Sequence, residues 1–288
     1  MKNKRYYGIN IAVFLLTIFF FLRMALENFI WFRTEGTIKS FFLLCLLNIV
    51  MIHIIKALRL YFLMLETRPT VTRFLRTYIK TTLVNLVLPF KLGEFFRMYC
   101  FGHELKNYKT GILLILTDRY FDTIPLVIIL LGFIIFGKES PRGVIITLVL
   151  FLLVVTILYS IFPSTFRYMN RFLIMNTNSD RGIQALELLK KMQHWYSYIQ
   201  ELIIGREIIL LILSGLAWVM EYGALYCLIT GIGHKFSTTE FVTYMDSIFA
   251  GNVSEYVGLY LGINAVVLVM MAVVAYGRNF VTRKKDGI

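Results

Sequence analysis

Six stretches of this chain, 8–27, 39–60, 110–136, 143–162, 207–230 and 257–278, are each long and apolar enough to cross a bilayer. About 20 helical residues match a hydrocarbon core roughly 30 Å thick. With 58% of its residues hydrophobic and only 16% charged, a chain of 288 residues carries more apolar surface than one soluble core hides. The expectation is an all-α integral membrane protein. It is read as a single polytopic domain over 1–288, with about six transmembrane helices plus two re-entrant or half-membrane segments.

The net charge of +13 does not carry a nucleic-acid reading. No zinc-finger, recognition-helix or base-stacking pattern accompanies it, and attraction to anionic inner-leaflet lipids accounts for the basic residues. Cys45, Cys100 and Cys227 lie in or beside apolar segments without paired spacing, and His53, His103, His194 and His234 are scattered. Neither a metal nor a cofactor is expected from them. Lys2, Lys4 and Arg5 lead into a long apolar run without a small-x-small cleavage site, which reads as the first transmembrane helix rather than a secretion signal.

Two segments are too short or too polar to span. In 83–97, Pro89 and Gly93 break an apolar run that also holds Lys91, Glu94 and Arg97. In 237–256, Glu240, Asp246, Asn252 and Glu255 interrupt modest apolar residues. Irregular backbone at membrane depth survives where protein or a water-filled cavity satisfies it, so both are expected to be re-entrant. With a cytoplasmic N-terminus, segments 1–7, 56–109, 163–206 and 278–288 hold 23 of the 30 Lys and Arg residues, against five on the other side. Both termini are therefore expected inside, at the cell (plasma) membrane. The two re-entrant segments then enter from opposite sides, as in an inverted repeat.

Arg73, Arg76 and Lys80 recur at helical spacing against Phe74, Leu75, Tyr78 and Ile79, the pattern of a helix lying on an anionic leaflet. A cytoplasmic amphipathic segment is expected over 164–206. Within it a helix over 180–204 carries an apolar stripe of Ile183, Leu186, Leu189, Met192, Tyr196 and Ile199. It would rest on the bilayer or pack on a partner.

Ionised side chains near a bilayer centre each cost about 2.5–3.5 kcal/mol on insertion scales, so those at depth are expected to be paired or to face a cavity. Asp118 and Asp122 are four apart on one helix face and Arg119 reaches Asp122. They line a polar path or form an ion pair locking two helices. Pairing within the triplet leaves one carboxylate in need of a partner. Lys91 and Arg97 are candidates for a lipid phosphate, with Glu94 pairing one of them or a substrate cation. Glu221, deep in its span, contacts a substrate amine, relays a proton or meets a base from another helix. His53, Lys56 and Arg59 follow one face toward the cytoplasmic side, and snorkelling accounts for them.

The stretch Leu88-Pro89-Phe90-Lys91-Leu92-Gly93-Glu94-Phe95-Phe96-Arg97, followed by Asp118-Arg119-Tyr120-Phe121-Asp122 and by Trp218-x-x-Glu221, resembles the flippase-like transmembrane domain of lysylphosphatidylglycerol synthases. Near the C-terminus the likeness weakens. Gly251-Asn252-Val253-Ser254-Glu255 stands where that family usually has a Pro-Gly-Gly-rich turn before a glutamate, with Glu255 aligned to it. The resemblance implies a stand-alone membrane domain, without the soluble aminoacyl-transferase part, that moves or binds a lipid with a polar headgroup. An aminoacylated phospholipid or a lipid-linked sugar would fit.

On this reading Lys91, Arg97 and Arg119 hold phosphate, while Glu94, Asp118, Asp122, Glu221 and Glu255 balance charge or bind cationic groups. The alternatives are a membrane enzyme on lipid-linked substrates, with Asp118 or Asp122 as base, and a scaffold for a biosynthetic partner protein docking through 180–204. No nucleophile elbow, phosphate loop or metal-ligand cluster accompanies the enzyme reading. A homo-oligomer is compatible with each.

Overall fold

The computed structural model describes residues 2–28, 39–67, 69–88, 92–136, 142–176, 180–250 and 255–285. Among the described residues the chain forms ten α-helices, one 3-10 turn and no strand. The helices are α1 (Lys2–Asn28), α2 (Lys39–Leu63), α3 (Val71–Val87), α4 (Leu92–Glu104), α5 (Tyr108–Ile135), α6 (Arg142–Asn176), α7 (Asp180–Ile203), α8 (Glu207–Gly231), α9 (Thr238–Ala250) and α10 (Glu255–Lys285). The six expected spans coincide with α1, α2, α5, α6, α8 and α10.

Four described helices are long and apolar enough to cross a membrane: Phe41–Leu63, Arg142–Met175, Glu207–Gly231 and Tyr256–Ala275. Within α1 the described side chains of Gly8–Phe20 form an apolar stretch, and α5 carries Asp118, Arg119 and Asp122 mid-length. Of the four, α6 is the most peripheral, with 11% of its apolar window buried against 44% for α10. Its outward Ile146, Leu150, Leu158 and Ile161 require a hydrocarbon solvent.

Where the expected span ended at 162, α6 continues to Asn176 through Pro163. The proposed segment 164–206 is thus divided: its first part extends α6, and only α7 is a separate helix. Phe162 stacks on Tyr196 at 4.9 Å, fastening α7 back along α6. Of the expected stripe on α7, Leu189 is buried while Ile183 and Met192 are exposed.

The segment expected to be re-entrant over 83–97 is part of a longer hairpin, α3 folded against α4. The arms run antiparallel: Phe74 meets Phe101, Val84 packs with Phe96 and Cys100 near the turn, and Asn85 bonds Glu94. Gly93 is not a helix break as expected but the second residue of α4. Its role is close approach, because a Cβ there would strike the Asn85 backbone. Pro89 and Lys91 lie outside the described residues. Similarly α4 and α5 meet where a Cβ on Gly111 would run into the Gly102 backbone.

The helix expected to lie on a leaflet surface over 73–80 belongs to α3 and is packed. Phe74, Tyr78 and Ile79 are buried with Leu60, Leu63, Phe101 and Leu114, and Lys80 bonds Asn10 of α1. The second re-entrant candidate, 237–256, contains α9 and the first residues of α10, with 251–254 outside the described residues. Unlike the α3–α4 pair, these two helices are very unequal, 13 and 31 residues.

Two apolar clusters form the core. One gathers Ile49 and Ile52 of α2, Leu126 and Leu130 of α5, Ala224 and Leu228 of α8, and Tyr260 of α10. The other gathers Leu60 of α2, Ile115 of α5 and Leu210 of α8 with α3 and α4 residues. On all three shared helices charged or polar residues fall in the stretch where the two clusters adjoin: Lys56 and Arg59, Asp118 and Asp122, Ser214 and Glu221.

Gly93→Ala is expected to lower the melting temperature of the detergent-purified protein by several degrees, since overpacking costs about 1–3 kcal/mol. Gly132→Ala, where a Cβ meets nothing within 4 Å, should leave it nearly unchanged. Equal melting curves for the two variants would refute the close approach of α3 and α4.

Candidate functional site

Arg59 is the centre of the layer between the clusters. Its side chain is 1% exposed, Nε donates to Asp118 Oδ1 at 2.8 Å, and Nη1 donates to Asp122 Oδ1 and to Ser214 Oγ at 2.9 Å. The snorkelling expected of Arg59 does not occur. A guanidinium buried this deeply requires paired acceptors, and α5 and α8 supply them. Arg59 also resolves which base meets the carboxylate that Arg119 alone would leave without a partner.

Arg119 lies on the far side of the same carboxylates. Nη2 donates to Asp118 Oδ2 at 3.1 Å and Nη1 to Asp122 Oδ2 at 3.3 Å, while Nε is 3.6 Å from Glu94 Oε1. Asn85 Nδ2 donates to that same Glu94 oxygen at 2.9 Å. Arg97 approaches Asp118 Oδ2 at 3.9 Å and its guanidinium lies 5.6 Å from the centre of the Tyr78 ring. The α3–α4 hairpin therefore brings Glu94 and Arg97 onto the α5 triplet. Three arginines face three carboxylates in one cluster.

A second ion pair continues the layer toward α9 and α10. Lys56 Nζ donates to Glu221 Oε1 at 2.5 Å. The other oxygen of Glu221 accepts from Tyr260 at 2.6 Å and Tyr244 at 2.8 Å. Of the three roles considered for Glu221, the geometry is that of an acid meeting a base from another helix. Trp218 joins the two parts: its indole donates to the Asp122 carbonyl at 2.9 Å, and its ring lies 5.6 Å from Lys56 Nζ. Pro125, three residues on, has no N–H to offer the turn that precedes it, which loosens the α5 ladder beside that carbonyl.

The seam as a whole pairs Lys56, Arg59, Arg97 and Arg119 with Glu94, Asp118, Asp122 and Glu221. Its side chains are at most 12% exposed except at two points: those of Arg119 and Lys56 are 30% and 24% exposed. Of the expected site residues, Glu94, Arg97, Asp118, Arg119, Asp122 and Glu221 belong to it. Lys91 is outside the described residues, and nothing is described of the Glu255 side chain beyond its place at the start of α10. Arg59, Lys56, Ser214, Asn85, Tyr244 and Tyr260 were not expected. A signal for Arg59 existed, because a second carboxylate on α5 calls for a base on a neighbouring helix.

Fold and seam define a polytopic all-helical membrane protein with a charge-balanced ionic layer through its core. The family model for the lysylphosphatidylglycerol synthase TM region matches residues 8–280, and the chain belongs to that family. No curated protein and no solved structure matches it.

Arg59→Met is expected to destabilise the protein strongly, by about 3–5 kcal/mol, because it strands two buried carboxylates. Adding Asp118→Asn and Asp122→Asn should recover much of that loss, measured as detergent melting temperature and monodisperse yield. If the triple variant is no better than Arg59→Met, charge compensation is not what Arg59 supplies. Tyr260→Phe, which removes one donor to buried Glu221, is expected to cost about 1–3 kcal/mol in the same assay.

Proposed function

We propose that this protein binds and moves a membrane lipid with a polar headgroup, the headgroup travelling along the ionic seam while the acyl chains stay in the bilayer. Membership of the lysylphosphatidylglycerol synthase TM family supports a lipid-related role. The observation that carries the reading is the edge of the seam: Arg119 is partly exposed while bonded to two carboxylates that are themselves buried. A cation so placed presents an arginine fork to a phosphate without leaving the core uncompensated, since Arg59 continues to hold Asp118 and Asp122.

An ionised headgroup in hydrocarbon meets the same penalty as a buried charged side chain, and a lined path lowers it. The α3–α4 hairpin contributes Glu94 and Arg97 to one wall, in keeping with a half-membrane element that opens a polar groove. An aminoacylated phospholipid or a lipid-linked sugar fits a path with both signs of charge. We place the protein in the cell membrane with both termini cytoplasmic, acting without chemical change to its lipid.

Vesicles reconstituted with the full chain and headgroup-labelled lipid test this directly. Wild type is expected to exchange label between leaflets with the lipid chemically intact. Arg119→Gln should abolish exchange while keeping a melting temperature far nearer to wild type than Arg59→Met does. Chemically altered lipid would establish an enzyme instead. Absence of exchange in well-folded wild type would leave a scaffold, the remaining class.

A further inference from the structure

A pocket of about 440 Å³ opens between the start of α5 and α7, well apart from the seam, and is lined by Lys109, Glu187, Lys190, Lys191, His194 and Trp195. From Lys109 to Asp118 is about 14 Å along α5. The α7 residues are spaced three, four, seven and eight from Glu187, so they form one face of that helix turned toward α5. A face that meets another helix is ordinarily apolar. Here it is built from the aliphatic stems of exposed lysines and an indole, and apolar Ile183, Leu188 and Met192 of the same helix remain exposed.

The side chains of three lysines share this wall with one glutamate. Glu187 is 3.9 Å from Lys191 Nζ with both side chains more than half exposed, so it offsets little of the charge. Lys109 Nζ lies 5.1 Å from the Trp195 ring, setting an indole among the cations. Like charges gathered on one wall repel unless an anion joins them.

We propose that the pocket binds the phosphate of an anionic phospholipid drawn from the surrounding bilayer. A lipid rather than free phosphate is indicated by the surroundings. Exposed Leu188 and Met192 on α7 offer apolar contact to acyl chains. Indole rings settle at the headgroup level of membranes, where lysines meet lipid phosphate. The site is a resident-lipid or loading position on the perimeter, distinct in residues from the seam.

Native mass spectrometry of the full chain in detergent, titrated with dioctanoyl-phosphatidylglycerol, reads this binding without any transport step. A failure of the transport proposal therefore does not decide it. Wild type is expected to retain phosphatidylglycerol in preference to dioctanoyl-phosphatidylcholine, and millimolar inorganic phosphate should not displace it. The Lys190→Gln/Lys191→Gln pair, whose side chains are both exposed, should weaken retention on the order of tenfold while leaving the melting temperature of the detergent-purified protein near wild type. Arg167→Gln/Arg171→Gln, equally cationic residues exposed on α6, should not. The proposal is overturned if the lysine pair retains the lipid as wild type does, or if the arginine pair weakens it as much. Equal retention of phosphatidylcholine, or displacement by inorganic phosphate, overturns the anionic-lipid assignment.

Discussion

The guanidinium of Arg59, held between Asp118 and Asp122, is the contact on which the architecture depends. Each of the three groups would be untenable alone at its depth. Together they bind α2 to α5, and Ser214 ties α8 to the same point. A planar fork with fixed donors sets the angle between helices more tightly than apolar packing does, since leucine-rich surfaces slide and re-register at little cost. The ionic layer thus fixes register, and the two apolar clusters that adjoin it bury the hydrophobic side chains of the same helices.

Much of this was legible in the sequence. Apolar run length located α1, α2, α5, α6, α8 and α10 because hydropathy over about 20 residues is a strong signal in lipid. The charges at 94, 97, 118, 119, 122 and 221 stood out because each is expensive where it lies. Lys56 and Arg59 did not stand out. Near a span end, a base that reaches headgroups and a base that turns inward look identical in sequence, and only the neighbouring helix decides between them. Gly93 was misread for a related reason: glycine marks both a broken helix and two helices in close approach, and only Asn85, brought near by the hairpin, separates the cases. The amphipathic pattern of 73–80 likewise identified a buried face correctly but not what covers it, which is protein.

The seam has a consequence for how a headgroup would interact with it. Every cation already holds a carboxylate, so an incoming anion exchanges partners rather than filling a vacancy. Such exchange is easiest at Arg119 and Lys56, whose side chains are partly exposed, and hardest at buried Arg59. A graded series of this kind lets the rim rearrange while the centre keeps the helices in place.

The length of α6 bears on the membrane itself. The whole helix, Arg142–Asn176, is 35 residues, about 53 Å, whereas its apolar part, 143–162, covers about 30 Å, the thickness of the hydrocarbon. The turns beyond it carry Arg167 and Arg171, which are exposed and seek headgroups or water. One rigid rod therefore serves two solvents, and its polar end is a post that sets how far α7, stacked on it through Phe162 and Tyr196, stands from the oily interior.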